Sequence, residues 1–348
     1  MFKRKRASKT SVGGLELDPG HAAAAEVHVN GKLTLQRGAV AHLRPGVLRD
    51  GDVTDPAALT ETLRTLFEEH DLPRRVRLGI ANQRIVVRTL DVPVMEDEKA
   101  LLAAVRLQAP DQIPMPIDEA ILDMQPLGTV QTVNGPRSRV VVVAVRREMV
   151  ERVVGAVREA GLELEGLDLS AFGMVRAVDV VQQAGRAVLF INGAGLVNVA
   201  VANEAGCLFT RAAAGGIDAM AATLSERRGL TFEHARQWMM HVGLVTPLDQ
   251  LDGDAELVAA ARSALDEGVH QIADTVRNSL NFYRMQESAE AVDRAVLTGP
   301  CVDVPGLPER LSELLRMPVE AVTVASDEGV ADAGRLTVAA GLAVAERP

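Results

Sequence analysis

Aromatic residues are scarce in this chain, with one Trp, one Tyr and seven Phe making up 3% of 348 residues. Proteins that grip single-stranded nucleic acid stack bases on aromatic rings, so this scarcity disfavours that class and leaves Val, Leu and Ala to fill the core. Cysteine is nearly absent. Cys207 and Cys301 lie far apart without a CxxC neighbour, which favours a reducing cytosol over a disulfide framework. Positive charge is in deficit: a formal net charge of −10 and a pI near 5.3 remove the basic face that duplex nucleic acid requires. The one basic run, Lys3, Arg4, Lys5, Arg6 and Lys9, reads as a solvated, disordered terminus over residues 1–10. Apolar runs never reach the ~18 to 20 residues that span a bilayer, and Ala7-Ser8-Lys9-Thr10-Ser11 is no apolar signal core. Neither a nucleic-acid partner nor direct membrane insertion is expected. Metal is not expected either: His21, His28, His42, His70, His234, His241 and His270 are scattered, with no HExxH and no zinc-like Cys/His spacing. GxSxG and Walker motifs are missing as well.

What is present is ordinary globular material, 47% hydrophobic and 24% charged. A chain of 348 residues exceeds the size at which one core stops growing, so two lobes are expected. Val12 to Leu17 reads as a strand, Glu26 to Val29 as a second, and Asn30-Gly31 as a hairpin turn into Leu33 to Gln36. Asp55-Pro56 then supplies an N-cap and first-turn pair for a helix carrying Leu59, Leu63, Leu66 and Phe67 at the 3.6-residue period. The same order returns roughly 175 residues later, with Ala187 to Ile191, Leu196 to Val201, a turn at Asn203 to Gly206, Cys207 to Ala212, then Gly215-Gly216 and a helix. A strand, strand, strand, helix module used twice points to the α/β actin-like, ribonuclease-H-like superfold, with two lobes around a cleft.

Between the modules, Arg75 to Ile80 and Ile85 to Leu90 read as strands, Glu98 to Ala109 as a helix, Arg139 to Val145 as a strand, and Arg147 to Ala160 as a helix stopped by Gly161. This set suggests a small α/β subdomain inserted in the first lobe. A long helix from about Ala255 to Met285 carries Leu265, Val269, Ile272, Val276, Leu280 and Tyr283 on one face. Ala295 to Thr298, a helix from Pro308, and Val319 to Val324 close the second lobe. Leu336 to Ala345 reads as the final buried helix of the first. The expected map is residues 11–72, 165–185 and 326–348 for the first lobe and 73–164 for the insertion. Residues 186–225 and 291–325 form the second lobe, with 226–290 as its helical subdomain.

Six segments, in order, resemble the PilM family of type IV pilus assembly proteins. They are Gly46-Val47-Leu48-Arg49-Asp50-Gly51-Asp52-Val53, Ile85-Val86-Val87-Arg88-Thr89-Leu90-Asp91-Val92-Pro93, and Gln112-Ile113-Pro114-Met115-Pro116. The others are Arg158-Glu159-Ala160-Gly161-Leu162 leading to Leu167-Asp168-Leu169-Ser170-Ala171-Phe172, then Arg277-Asn278-Ser279-Leu280-Asn281-Phe282-Tyr283-Arg284, and Pro305-Gly306-Leu307. The resemblance implies the fold of the cell-division protein FtsA, an actin-like core with a small subdomain inserted in the first lobe. It implies a protein held at the cytoplasmic face of the inner membrane by its partners, binding the N-terminal tail of a PilN-like membrane protein. It also admits a pilus motor ATPase or platform protein as partner, and self-association. The tail is expected to dock on the inserted subdomain, in a groove lined by Val86, Val87, Leu90, Leu101, Leu102, Val105 and Ile113.

The resemblance also implies a nucleotide cleft built from two glycine-rich hairpins, whose backbone N–H groups cradle phosphates. The family's first hairpin reads roughly D-I-G-S-S-S-V-K, and this chain has Glu16-Leu17-Asp18-Pro19-Gly20-His21-Ala22-Ala23. Asp18 puts negative charge where phosphate should sit, Pro19 deletes a donor, and Ala23 lacks the cationic head of a Lys. Glu16 could still reach a cation. The second hairpin, expected as D-I-G-A-S-T-T-N, reads Ile191-Asn192-Gly193-Ala194-Gly195-Leu196-Val197-Asn198. The A-E-x-x-K that grips adenosine becomes Ala235-Arg236-Gln237-Trp238-Met239, and the last Gly-Gly becomes Gly299-Pro300, although Gly215-Gly216 match the cleft glycines. Each lost charged hydrogen bond costs about 1.5 to 3 kcal/mol, so three or four losses remove most of a micromolar affinity of roughly 8 kcal/mol.

The expected function is therefore a scaffold or adaptor of type IV pilus or pseudopilus assembly with a degenerate nucleotide site. ATP hydrolysis and a resident cofactor are not expected, and Mg-ATP binding is at most weak. The alternative is an active actin-like ATPase that cycles or polymerises. A sugar or acid kinase of the same superfold would need an Asp general base and an intact phosphate loop, and neither is found.

Overall fold

The computed structural model describes residues 11–133, 135–178, 186–286 and 289–345. The basic run Lys3 to Lys9, and with it the reading of residues 1–10 as disordered, lies outside them.

The chain opens with an antiparallel meander of β1 (Gly13–Asp18), β2 (His21–Val29) and β3 (Leu33–His42). Its first turn is only Pro19-Gly20. In the second turn Gly31, at φ +73°, takes the left-handed conformation that a Cβ disfavours. β4 (Leu48–Arg49) and β5 (Asp52–Val53) pair as a small ribbon before α1 (Pro56–Glu69). The carboxylate of Asp55 accepts the Ala58 N–H, capping that helix, and Pro56 fits a first turn that needs no donor. β6 (Arg75–Ile80) then runs parallel to β1, pairing Gly13–Glu16 with Val76–Gly79.

The inserted subdomain follows as β7 (Val86–Pro93), α2 (Glu98–Gln108), β8 (Ala120–Thr132) and β9 (Gly135–Arg146). Its sheet has the order β7-β9-β8, with α2 covering one face. Next come α3 (Arg147–Glu159), β10 (Glu163–Leu169) and α4 (Ser170–Ala177). α3 packs on α1, where the Thr60 hydroxyl donates to Ala156 O at 3.2 Å, and β10 pairs parallel with β6. The insertion is therefore shorter than residues 73–164. β6, α3 and β10 are built into the first lobe because their apolar faces complete its core.

The second lobe repeats the plan with β11 (Arg186–Gly193), β12 (Leu196–Asn203) and β13 (Gly206–Ala214), then α5 (Ile217–Arg228), α6 (Phe232–Val242) and α7 (Ala255–Arg284). The long α7 buries Leu265, Val269, Ile272, Val276, Leu280 and Tyr283 against this sheet. β14 (Ala291–Thr298), α8 (Leu307–Leu315) and β15 (Val319–Ala321) finish the lobe, in sheet order β13-β12-β11-β14-β15. The chain then crosses back. β16 (Ala325–Ser326) pairs with β3, completing the order β10-β6-β1-β2-β3-β16, and α9 (Ala333–Leu342) is buried along its length on β1 and β2. The approach is so close that a Cβ on Gly14 would lie 1.7 Å from Ala339 O. In both lobes a three-strand meander has parallel strands added beside its first strand, which is the duplicated, actin-like two-lobe α/β fold.

Candidate functional site

The Pro19-Gly20 turn brings the end of β1 and the start of β2 face to face, with Asp18 opposite His21. Asp18 is 1% exposed and His21 fully buried. Asp18 Oδ2 accepts the Leu196 N–H of the second lobe at 3.1 Å, and Oδ1 accepts the Gly20 N–H at 3.3 Å. Across the cleft, Gly215-Gly216 lead into α5, whose first turn carries Asp218. Only glycine fits at 216, since a Cβ would lie 1.9 Å from Ala194 O, and the Asp218 N–H donates to that same carbonyl at 3.1 Å.

Arg335, from the first turn of α9, closes the set. Its guanidinium donates to Asp218 Oδ2 at 3.0 Å and to Oδ1 at 2.5 Å. It also lies 3.2 Å from His21 Nδ1, which is itself 3.7 Å from Asp18 Oδ1 and 3.7 Å from Asp218 Oδ2. First-lobe Asp18, His21 and Arg335 thus meet second-lobe Leu196 and Asp218, and the contacts tie the lobes together.

The electrostatics follow from burial and pairing. Burial alone would raise the Asp218 carboxyl, but His21 and Arg335 reverse this and hold it well below the usual carboxylate range. Burial disfavours the His21 cation, yet Asp218 and Asp18 outweigh it and raise the histidine's pKa. Burial also pushes the Asp18 carboxyl up, opposed by His21 and by the two N–H groups it accepts. Glu16, 2% exposed, is pushed up to about 8 chiefly by burial, so it stays protonated at neutral pH. With Glu16 neutral, the Asp218 carboxylate is paired with Arg335 and lies beside His21. The acceptor atoms of Asp18, His21 and Asp218 lie within 4.8 Å of one another, close enough to share a metal ion. Arg335 already occupies both Asp218 oxygens, so the positive charge a metal would bring is supplied by the chain.

The residues expected in the nucleotide cleft fall into two groups. Glu16, Asp18, Pro19, Gly20, Gly195 and Gly216 gather at or beside this cluster, and a Cβ on Gly195 would stand 1.8 Å from Asp18 Oδ1. Gly215, at φ +110°, precedes the α5 turn. Gly193, Asn192 and Asn198 are buried in the second-lobe sheet, where Asn192 Oδ1 and Asn198 Nδ2 have no protein partner. Gly299, at φ +81°, lies against the Asn192 amide and under α9 at Gly334. The adenosine positions do not join them. Arg236 pairs with Glu233 at 3.4 Å on the face of α6, and Met239 is buried in the second-lobe core. Near Arg236 the His42 ring packs edge-to-face on Phe232 from the other lobe, with centroids 6.0 Å apart.

Asp218, Arg335 and His21 were not among the residues singled out for the cleft. Two had a sequence signal: an acid two residues after the cleft glycines, and a lone cation at the head of an apolar helix. His21 stood in the first hairpin segment and among seven scattered histidines, with no role assigned to it.

The groove expected on the inserted subdomain is not a groove. Leu90, Leu101, Val105 and Ile113 form the core between the sheet and α2, with Val86 packed against them and Leu102 half-buried. Val87 points to the opposite face and joins the first-lobe core. The groove was implied by the family resemblance, and the apolar periodicity of β7 and α2 buries most of these residues once α2 closes on the sheet. The open space lies on the other face. A cavity of about 680 Å³ is walled by Asp123, Gln125 and Val143 of the sheet, Phe172 and Arg176 of α4, and Glu204 in the β12–β13 turn. Arg176 pairs with Asp168 at 2.5 Å at its rim. Among the described residues, no helix is long and apolar enough to cross a membrane.

Known proteins give the following likenesses. The family described as type IV pilus assembly protein PilM matches residues 21–344. A chain of the PilM-PilN type IV pilus biogenesis complex is 26% identical with a TM-score of 0.74, over 96% of this chain and 97% of that one. MreB 5 of Spiroplasma citri bound to AMPPNP is 11% identical with a TM-score of 0.54, over 96% and 95% of the two chains. The ethanolamine utilization protein EutJ from Carboxydothermus hydrogenoformans is 15% identical with a TM-score of 0.53, over 97% and 90%. The last two share the fold.

Proposed function

The chain belongs to the PilM family of type IV pilus assembly proteins, and from that premise we propose that it is a non-hydrolysing adaptor binding the N-terminal tail of a PilN-like membrane protein at the cytoplasmic face of the inner membrane. The observation that carries the partner is the full-length likeness to a chain of a PilM-PilN complex. The cavity beside the inserted subdomain is the docking site in this reading. Val143 and Phe172 offer an apolar wall, while Asp123 and Glu204 are exposed carboxylates that favour a basic residue on the tail. β8, at the edge of its three-stranded sheet, borders the same space, and an edge strand is where a further strand can add.

The cleft supports the other half of the reading. Phosphate would have to displace Asp18 from the Leu196 N–H and sit among carboxylates, in a space closed by Arg335 and Asp218. ATP turnover is therefore not part of the proposed role. A motor ATPase, a platform protein and a second copy of the chain remain further candidate partners.

The test is titration of a labelled N-terminal peptide from a PilN-like protein. Saturable binding is expected, lost in the Asp123→Lys, Glu204→Lys variant while its thermal midpoint is retained. Absence of binding to the unaltered chain, or undiminished binding to the variant, would overturn the partner or the cavity respectively.

A further inference from the structure

A phosphate-binding hairpin works by converging backbone N–H groups on an oxyanion, with glycines letting the backbone come close. Much of that apparatus survives here, and it converges on a side chain of the protein itself. The Leu196 N–H from the second hairpin and the Gly20 N–H from the first both donate to the Asp18 carboxylate. Gly195 is the residue whose missing Cβ makes room, since a side chain there would overlap Asp18 Oδ1. Gly20 serves Asp218 likewise, because its Cβ would stand 2.6 Å from Oδ2. His21 lies beside the carboxylate, and Arg335 lies beside His21.

We propose that Asp18 is a built-in substitute for a bound phosphate: its carboxylate fills the anion cradle between the two hairpins and fastens the lobes, and its removal exposes a site for a small oxyanion. Three features favour this over simple filling of a buried corner. The carboxylate spreads its two oxygens over donors from two lobes, as a bound oxyanion does. An isolated carboxylate in this position would be strongly disfavoured, and His21, 3.7 Å away, and the two N–H groups that Asp18 accepts oppose that penalty. Finally, the two close glycine approaches are made to carboxylate oxygens, so the tight backbone serves an anion that the chain carries covalently. The proposal rests on the closed-cleft half of the function and is independent of the partner. Loss of PilN-peptide binding would leave it untouched, and its own failure would leave the peptide result untouched.

The experiment is anion rescue. Thermal midpoints of the unaltered chain, Asp18→Gly and Asp18→Asn are measured in chloride and, at equal ionic strength, in inorganic phosphate and in formate. The glycine variant is expected to melt several degrees lower in chloride and to regain most of the loss in phosphate or formate. The asparagine variant keeps the volume of the side chain, so it should melt lower and show no rescue beyond the general stabilisation by phosphate seen in the unaltered chain. A glycine variant as stable as the parent, or one rescued no better than the asparagine variant, overturns the proposal. If the glycine variant does not fold in chloride, amide exchange of the asparagine variant decides. About tenfold faster exchange over residues 193–197 is expected, and unchanged protection overturns it.

Discussion

Two spaces in this molecule are bounded by both lobes, and they differ in what occupies them. At the hairpin turns the chain supplies its own anion and its own cations, and Asp18, His21, Asp218 and Arg335 are all buried by protein. Beside the inserted subdomain the second-lobe turn and α4 leave a cavity of about 680 Å³, with Asp123 and Glu204 exposed at its wall. The contrast is between a cleft whose charged groups are buried against one another and a cavity whose carboxylates face solvent.

The largest effect should come from breaking the closed side. Arg335→Ala leaves Asp218 buried without the guanidinium that donates to both its oxygens, and a loss of about 3 to 5 kcal/mol is expected by chemical denaturation. Peptide binding by the fraction that stays folded should be unchanged. A change in peptide affinity as large as the change in stability would mean that the two spaces are coupled.

The next effect is a pH dependence with a defined sign. Glu16 is raised from 4.5 to about 8, so between these values the folded chain holds a proton that the unfolded chain has released. Stability should fall as pH rises through that window and level off above about 8. His21 acts in the same direction, its contribution present below 6.5 and lost as pH rises through its raised folded value. Glu16→Gln should remove most of the slope and stabilise the protein by about 2 to 4 kcal/mol at pH 9. A variant with the parental slope would place the titration elsewhere.

On the open side the expected effects are smaller. Asp123→Lys alone should weaken a basic peptide by about tenfold, or roughly 1.4 kcal/mol, with little change in melting. Smallest is Thr89→Val, which removes the hydroxyl donated to Leu208 O at 3.2 Å between the inserted subdomain and the second lobe. It should cost about 1 kcal/mol, read by denaturation, and raise amide exchange in β7.

Much of the architecture was legible in local pattern. The meanders, the Asp55-Pro56 helix start and the apolar face of α7 all follow from periodicity and cap chemistry, which depend on near neighbours. β8 was not legible, because Pro126 and Gly128 interrupt it and its alternation is weak, so only pairing with β9 reveals it. β6 read correctly as a strand but was assigned to the insertion, since sequence order does not say which sheet a strand joins. The two hairpins could be compared residue by residue with the pattern that the family resemblance implies. That Asp18 reaches Leu196, 178 positions away, and that Arg335 reaches Asp218, 117 positions away, are facts of lobe docking with no local signature. The misplaced groove has a related cause: an apolar stripe says that a face is covered, and not whether its own subdomain or a partner covers it.

The most direct measurement is the thermal midpoint of the purified chain with and without millimolar Mg-ATP. A ligand at 100 times its Kd would stabilise the fold by about 2.7 kcal/mol. The set formed by Asp18, His21, Asp218 and Arg335 predicts no shift with nucleotide and no dependence on Mg²⁺. A Mg²⁺-dependent rise in the midpoint would contradict a closed cleft and return the molecule to the nucleotide-binding members of its fold.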